Sequence, residues 1–245
     1  MDRMLYLAMN GAKHIMMAQQ NNSNNLANAN TAGFREDLDN FMSMPVQGPG
    51  YADRTYAVEQ SVGSNMNPGA LISTGNDLDV AIKGDGWFTV QNNQGGEGYT
   101  RRGDFRISNT GFLETGDGKL VMGNGGPITI PPAEKVEIGV DGTLSIIPLG
   151  QDANTLAVID RLKLVNPVDN EIEKRIDGLF YAKDGNILEA DAAVSVHTGV
   201  LESSNVNSIG AMVKMINHAR AYEMQIKVMK AAEDNDSASS RLLRS

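Results

Sequence analysis

All eight prolines of this chain lie between Pro45 and Pro167, and 20 of its 26 glycines lie between Gly48 and Gly150. A helix interior tolerates neither residue well, so long helices are confined to the two ends. Both ends use that freedom. Side chains recur at alternating steps of three and four through Met1, Leu5, Ala8, Ala12, Ile15, Gln19, Asn22, Leu26 and Ala29, and again through Met212, Met215, Ala219, Tyr222, Ile226 and Met229. That rhythm holds one face of a helix toward a neighbour. Read as seams, the two series predict a coiled-coil-like module built from the chain's extremities.

The middle carries a different period. Short runs of apolar or alternating character, Leu78–Ile82, Trp87–Val90, Pro127–Ile130, Lys135–Ile138 and Thr143–Ile146, read as strands, and Arg161–Val165, Leu179–Ala182 and Val194–His197 continue the series. Between them stand Gly84-Asp85-Gly86, Asn109-Thr110-Gly111, Gly116-Asp117-Gly118 and Asp141-Gly142, which supply the positive φ of tight turns. The expected fold class is α+β: an N-terminal helix over 1–36, an extended connector over 37–70, an antiparallel β domain over 71–204 and a C-terminal helix over 205–245.

Residues 4–34 hold one formally charged side chain, Lys13, and include the run Gln19-Gln20-Asn21-Asn22-Ser23-Asn24-Asn25. These are weak helix formers, so the helix is expected to need partners. The amides of Gln19, Asn22, Asn24, Asn25 and Asn28 are expected to find hydrogen bonds on neighbouring subunits, leaving the ends mobile in a free monomer. Of 13 methionines, 11 fall within residues 1–44 and 212–229, where an adaptable side chain suits non-identical neighbours.

Composition excludes several classes of function. A formal charge of −9 and a pI near 4.8, with no basic stripe to offset the acidic excess, argue against nucleic acid or an anionic membrane as partner. Zero cysteines removes thiol chemistry and cysteine metal sites. His14, His197 and His218 have no ligand at metal spacing. Asp77 and Asp79 read as capping groups on a turn, and Gly123-Asn124-Gly125-Gly126 lacks the continuation of a phosphate loop. No catalytic residue, cofactor, metal or small-molecule substrate is expected. The apolar run Met4–Met9 is broken by Asn10, Gly11, Lys13 and His14 before a signal core forms, and no stretch reaches membrane-spanning length. Any export is expected to proceed without a cleaved signal peptide.

The segment Asn24-Asn25-Leu26-Ala27-Asn28-Ala29-Asn30-Thr31-Ala32-Gly33-Phe34-Arg35 resembles the N-terminal signature of the bacterial flagellar rod and hook protein family. Further resemblance lies in Leu78–Phe88, in Tyr99-Thr100-Arg101-Arg102-Gly103-Asp104-Phe105 and in Gly199-Val200-Leu201-Glu202-Ser203-Ser204-Asn205-Val206. Within the family, Gly125–Pro131 and the tail from Tyr222 look most like proximal rod members, with distal rod members as the rival.

The resemblance implies a non-enzymatic axial subunit. It would be exported by the flagellar type III apparatus and assemble in the periplasmic rod with copies of itself and other rod proteins. There it would carry motor torque to hook and filament. Carried over residue by residue, with the seam positions added, the assembly set is Leu5, Ala12, Ile15, Asn25, Leu26, Asn28, Thr31, Gly33 and Phe34 at the front. At the back it is Asn205, Val206, Met212, Met215, Ala219, Tyr222, Ile226 and Met229. Gly33 is expected to end the first helix and Phe34 to anchor the chain just beyond it. A rival reading makes the β body a glycan-binding module with helical oligomerisation ends. That reading needs an exposed aromatic platform, whereas Trp87 sits in a strand where burial is expected.

Overall fold

The computed structural model describes residues 3–45, 55–150, 156–167 and 171–242, giving backbone alone for residues 3 and 242 and for the ribbon residues 40–45 and 55–62. Met1, the first member of the front series, lies outside the described residues. The chain divides into two compact units. One gathers residues 1–29, 36–65 and 206–245; the other gathers 30–35 and 66–205.

The first unit holds helix α1 (Arg3–Ala27), strands β1 (Asp37–Pro45) and β2 (Thr55–Ser64), and helix α2 (Ser208–Leu242). α1 stops at Ala27: the Asn24 carbonyl accepts from both the amide and the side chain of Asn28, at 3.1 and 2.9 Å, and the next amide, of Ala29, turns to the Leu26 carbonyl at 3.3 Å, three residues back instead of four. α2 starts behind an N-cap: Asn207 Oδ1 accepts from the Gly210 amide at 3.0 Å and the Asn207 carbonyl from Ala211 at 2.8 Å. β1 and β2 form an antiparallel ribbon with a bulge between Leu38 and Asp39.

The helices run antiparallel, since Asn22 donates to the Ala211 carbonyl at 2.8 Å while Gly11 faces the amide of Gln225. They do not form the expected coiled-coil-like pair. The side chains hidden on α1 are Ala8, Ala12, Ala18, Asn22 and Asn25, and on α2 Ala211 and Ala232. Alanine offers no knob to fill a hole, so a long interlocking seam cannot form from these faces. On α2 the less exposed stripe runs through Ala211, Met215, His218, Gln225, Met229 and Ala232, displaced from the predicted series, of which Met212, Tyr222 and Ile226 are exposed. The fold class is corrected accordingly: two terminal helices flank a β-rich middle without a long coiled coil.

Among the described residues of the second unit every strand pairing is antiparallel. A five-stranded sheet has the order Leu164–Val165, Trp87–Gln91, Glu97–Thr100, Phe180–Ala182, Ile172–Lys174. A three-stranded sheet joins Ala133–Ile138, Thr143–Pro148 and Ala157–Arg161. Leu144 and Ile146 point inward and alternate with half-exposed neighbours, as period two requires.

Trp87, Phe88, Thr89 and Val90 are all buried instead. Their strand has cores on both faces: Phe88 packs with Phe105, Leu113, Val121 and Leu164, while Trp87 packs with Tyr99, Ile172 and Phe180. Along 127–130 the alternation holds for burial, with Ile128 and Ile130 inside, but pairing is limited to Gly126–Pro127 and a single bridge at Thr129. Pro131 and Pro132 supply no amide with which to extend a ladder there.

Candidate assembly surface

Large apolar side chains lie on the outside of the helical unit. α1 exposes Met4, Leu5, Tyr6, Leu7, Met9, Met16 and Met17; α2 exposes Ile209, Met212, Val213, Ile216, Tyr222, Met224 and Ile226. At 100° per residue, Ile209, Met212, Val213 and Ile216 form one i, i+3, i+4, i+7 stripe opposite Ala211 and Met215. Ile209 is 74% exposed and Met16 66%. Exposed apolar groups scattered singly are ordinary, whereas a contiguous stripe marks an interaction surface. Beyond Ile216 that face of α2 turns to Arg220, Glu223 and Lys227.

The asparagine run of α1 is bonded within the chain. Asn25 donates to the Asp37 carbonyl and accepts from the Asp37 amide, both at 2.9 Å, reading the start of β1 as another strand would. Asn21 donates to Asp39 at 2.5 Å. Of the amides expected to seek neighbouring subunits, Asn22 and Asn25 are therefore committed locally, while Gln19 keeps a buried carbonyl oxygen without a hydrogen bond. Burial raises the Asp39 carboxyl above its ordinary pKa; Asn21, His218 and Lys214 oppose the rise and Asp37 adds to it.

The second unit holds the last six residues of the signature segment, Asn30–Arg35. Arg35 is 1% exposed and Glu202 2%, and their ion pair measures 2.5 Å. Glu202 also accepts from the Gly69 amide at 2.9 Å and meets Arg101 at 3.4 Å, and Arg101 lies over the Trp87 ring at 5.4 Å. Burial pulls the Arg101 guanidinium below its ordinary value; Glu202 opposes this and Arg35 adds to it. Lys174 sits 3.9 Å above the Phe34 ring and donates to the Arg35 carbonyl at 3.1 Å. Phe34 thus anchors within this unit. Gly33 has φ of 65° and stands where an added Cβ would lie 2.3 Å from the Arg101 backbone, so no other residue fits. It does not end a helix, because α1 stops earlier.

The seventeen predicted assembly residues fall into different settings. Leu5, Met212, Ala219, Tyr222 and Ile226 are exposed on the helices; Ala12 and Asn25 are buried; Ile15, Leu26, Asn28, Met215 and Met229 are half-buried. Thr31, Gly33, Phe34 and Asn205 belong to the second unit, and Val206 is the first residue to leave it. The prediction omitted Ile209, Val213 and Ile216, although their spacing is plain in the sequence. It also gave no role to Arg35 and Glu202, whose pairing across the sequence has no local signal. Trp87 is 3% exposed, so the aromatic platform needed for glycan binding is not at this position.

Comparison with known proteins adds the decisive observation. The chain is 42% identical to the flagellar basal-body rod protein FlgF of Salmonella typhimurium over 249 residues, spanning 99% of each. It belongs to the flagellar basal-body rod protein family. FlgF of Escherichia coli is 41% identical over 99% of both chains, and the rod protein FlgG of Bacillus subtilis is 31% identical over 95% of this chain and 96% of its own. A profile for the flagellar basal body rod FlgEFG protein C-terminal region matches residues 197–242, covering all of α2. One for the flagellar hook protein FlgE/F/G D1 domain matches 81–146. The chain is thus a structural subunit of the flagellar basal-body rod. Among the described residues no helix is long and apolar enough to cross a membrane.

Proposed function

We propose that this rod protein occupies the proximal rod and carries motor torque toward hook and filament. It does so by packing its terminal helices against copies of itself and other rod proteins, without a catalytic centre or cofactor. It reaches the periplasm through the flagellar type III apparatus with no cleaved signal. The supporting observation is the outward placement of large apolar side chains, seven on each helix. Burying one such side chain contributes roughly 1.5–3 kcal/mol, so a helical array that covers them has a large driving force. Exposed members of the predicted set, Leu5, Met212, Tyr222 and Ile226, serve contacts between subunits. Buried Ala12 and Asn25 shape the unit that presents those contacts.

The test replaces Ile209, Met212, Val213 and Ile216 by serine together. The purified variant should keep the helical circular dichroism of the parent, because these residues face solvent. In a strain lacking the gene it should leave motility unrestored and basal bodies without a complete rod by electron microscopy. Normal swimming with this fourfold variant would refute the reading.

A further inference from the structure

The chain passes between its two compact units four times, after residues 29, 35, 65 and 205. Within the β unit, each passage lies within a few residues of a tie to Glu202 or to the segment that Glu202 holds. The Gly33 amide donates to the Glu202 carbonyl at 2.7 Å, Arg35 pairs with its carboxylate at 2.5 Å, and the Gly69 amide donates to the same carboxylate at 2.9 Å. Asn205 closes the set, donating its amide to the Phe34 carbonyl at 3.3 Å and its side chain to the Asn67 carbonyl at 2.8 Å. We infer that Glu202 is a positioning residue, a charged hub that fastens all four passages to the β body as one fixture.

Charge dominates this hub. The Arg35 guanidinium is buried and meets one carboxylate oxygen of Glu202 at 2.5 Å. Its attraction to Glu202 is what offsets its burial. Arg101 competes for the same carboxylate. Two buried guanidiniums thus share one buried carboxylate, with exposed Asp85 as the second anion that acts on Arg101. Neutralising Glu202 leaves two like charges buried together. Removing Arg35 leaves Glu202 balanced by Arg101. The variants therefore rank unequally, and deleting a cation repairs the loss of the anion. A fixture held only by packing or backbone hydrogen bonds has no such asymmetry.

Hydrogen exchange on the full-length chain tests this, with the amides of Thr89 and Val121 in the core strands as controls. Glu202→Gln should speed exchange at Gly33, Gly69 and Asn205 together by ~10-fold or more, with the controls within about 2-fold. Arg35→Met should speed Gly33 and leave Gly69 and Asn205 within about 3-fold of the parent. Arg35→Met combined with Glu202→Gln should slow Gly69 and Asn205 relative to Glu202→Gln alone. If Glu202→Gln releases the controls as well, the double variant should recover them. Release of only one amide by Glu202→Gln, or a double variant no better protected than Glu202→Gln, would overturn the hub. Either result leaves the helix surface proposed above untouched.

Discussion

The two units are built with opposite polarity. The β unit puts its bulk inside, with Phe88, Leu113, Ile128, Leu144, Leu162 and Leu164 all nearly inaccessible. Among the described side chains, the helices of the other unit hide alanines and asparagines and turn methionine, isoleucine, leucine and tyrosine outward. Burying large apolar groups is the dominant favourable term in folding. On the function proposed above, the exposed apolar groups of the helices keep that term for association with other subunits.

The contrast is sharpest in the β core. Phe88→Ala should cost about 3–5 kcal/mol by chemical denaturation, the range for deleting a buried aromatic. Next come the small residues of the helical unit. Ala18 is 1% exposed, and Ala18→Leu should destabilise by about 1–3 kcal/mol because no space awaits the added carbons. A stabilised Ala18→Leu would mean that the helices accept a conventional apolar interior. Asn25→Ala removes both part-buried hydrogen bonds to the Asp37 backbone, for about 1–3 kcal/mol on the same measurement.

On the outward face Met16→Ala should change monomer stability by no more than about 0.5 kcal/mol. A loss comparable to that of Phe88→Ala would erase the distinction between the units. The smallest effect belongs to Asp39. Its raised pKa means that ionisation is harder in the folded chain than in the unfolded one. Its contribution is therefore fully present below the ordinary carboxylate pKa and is lost as pH rises through the folded-state value. Asp39→Asn should flatten the stability profile across that interval, measured by thermal unfolding at stepped pH.

Much of the β unit was legible because its physics is local. Leu144 and Ile146 announce a half-buried strand by alternation, and Gly118 and Gly142 adopt the positive φ that their turns required. The Trp87 strand was legible as a strand but not as one buried on both faces, since that depends on which strands flank it. The α2 stripe was misplaced because apolar residues occupy both sides of the helix: Met212 and Ile226 keep a perfect three-four rhythm yet face out, while Ala211, Gln225 and Ala232 face in. Periodicity finds a stripe, and it cannot say which of two stripes meets the partner within the chain. The signature segment was recognisable as a motif, but the ion pair between Arg35 and Glu202 joins residues far apart in sequence and becomes visible only once both segments are folded into the second unit.

A helix pair lined with alanine has no teeth to set its axial position. The side chain of Asn22, bonded to the carbonyl of Ala211 at 2.8 Å, then works as a detent pin. It selects one setting among sliding positions that smooth faces would leave nearly equal in energy, and so fixes where along the paired rods each outward apolar group is offered.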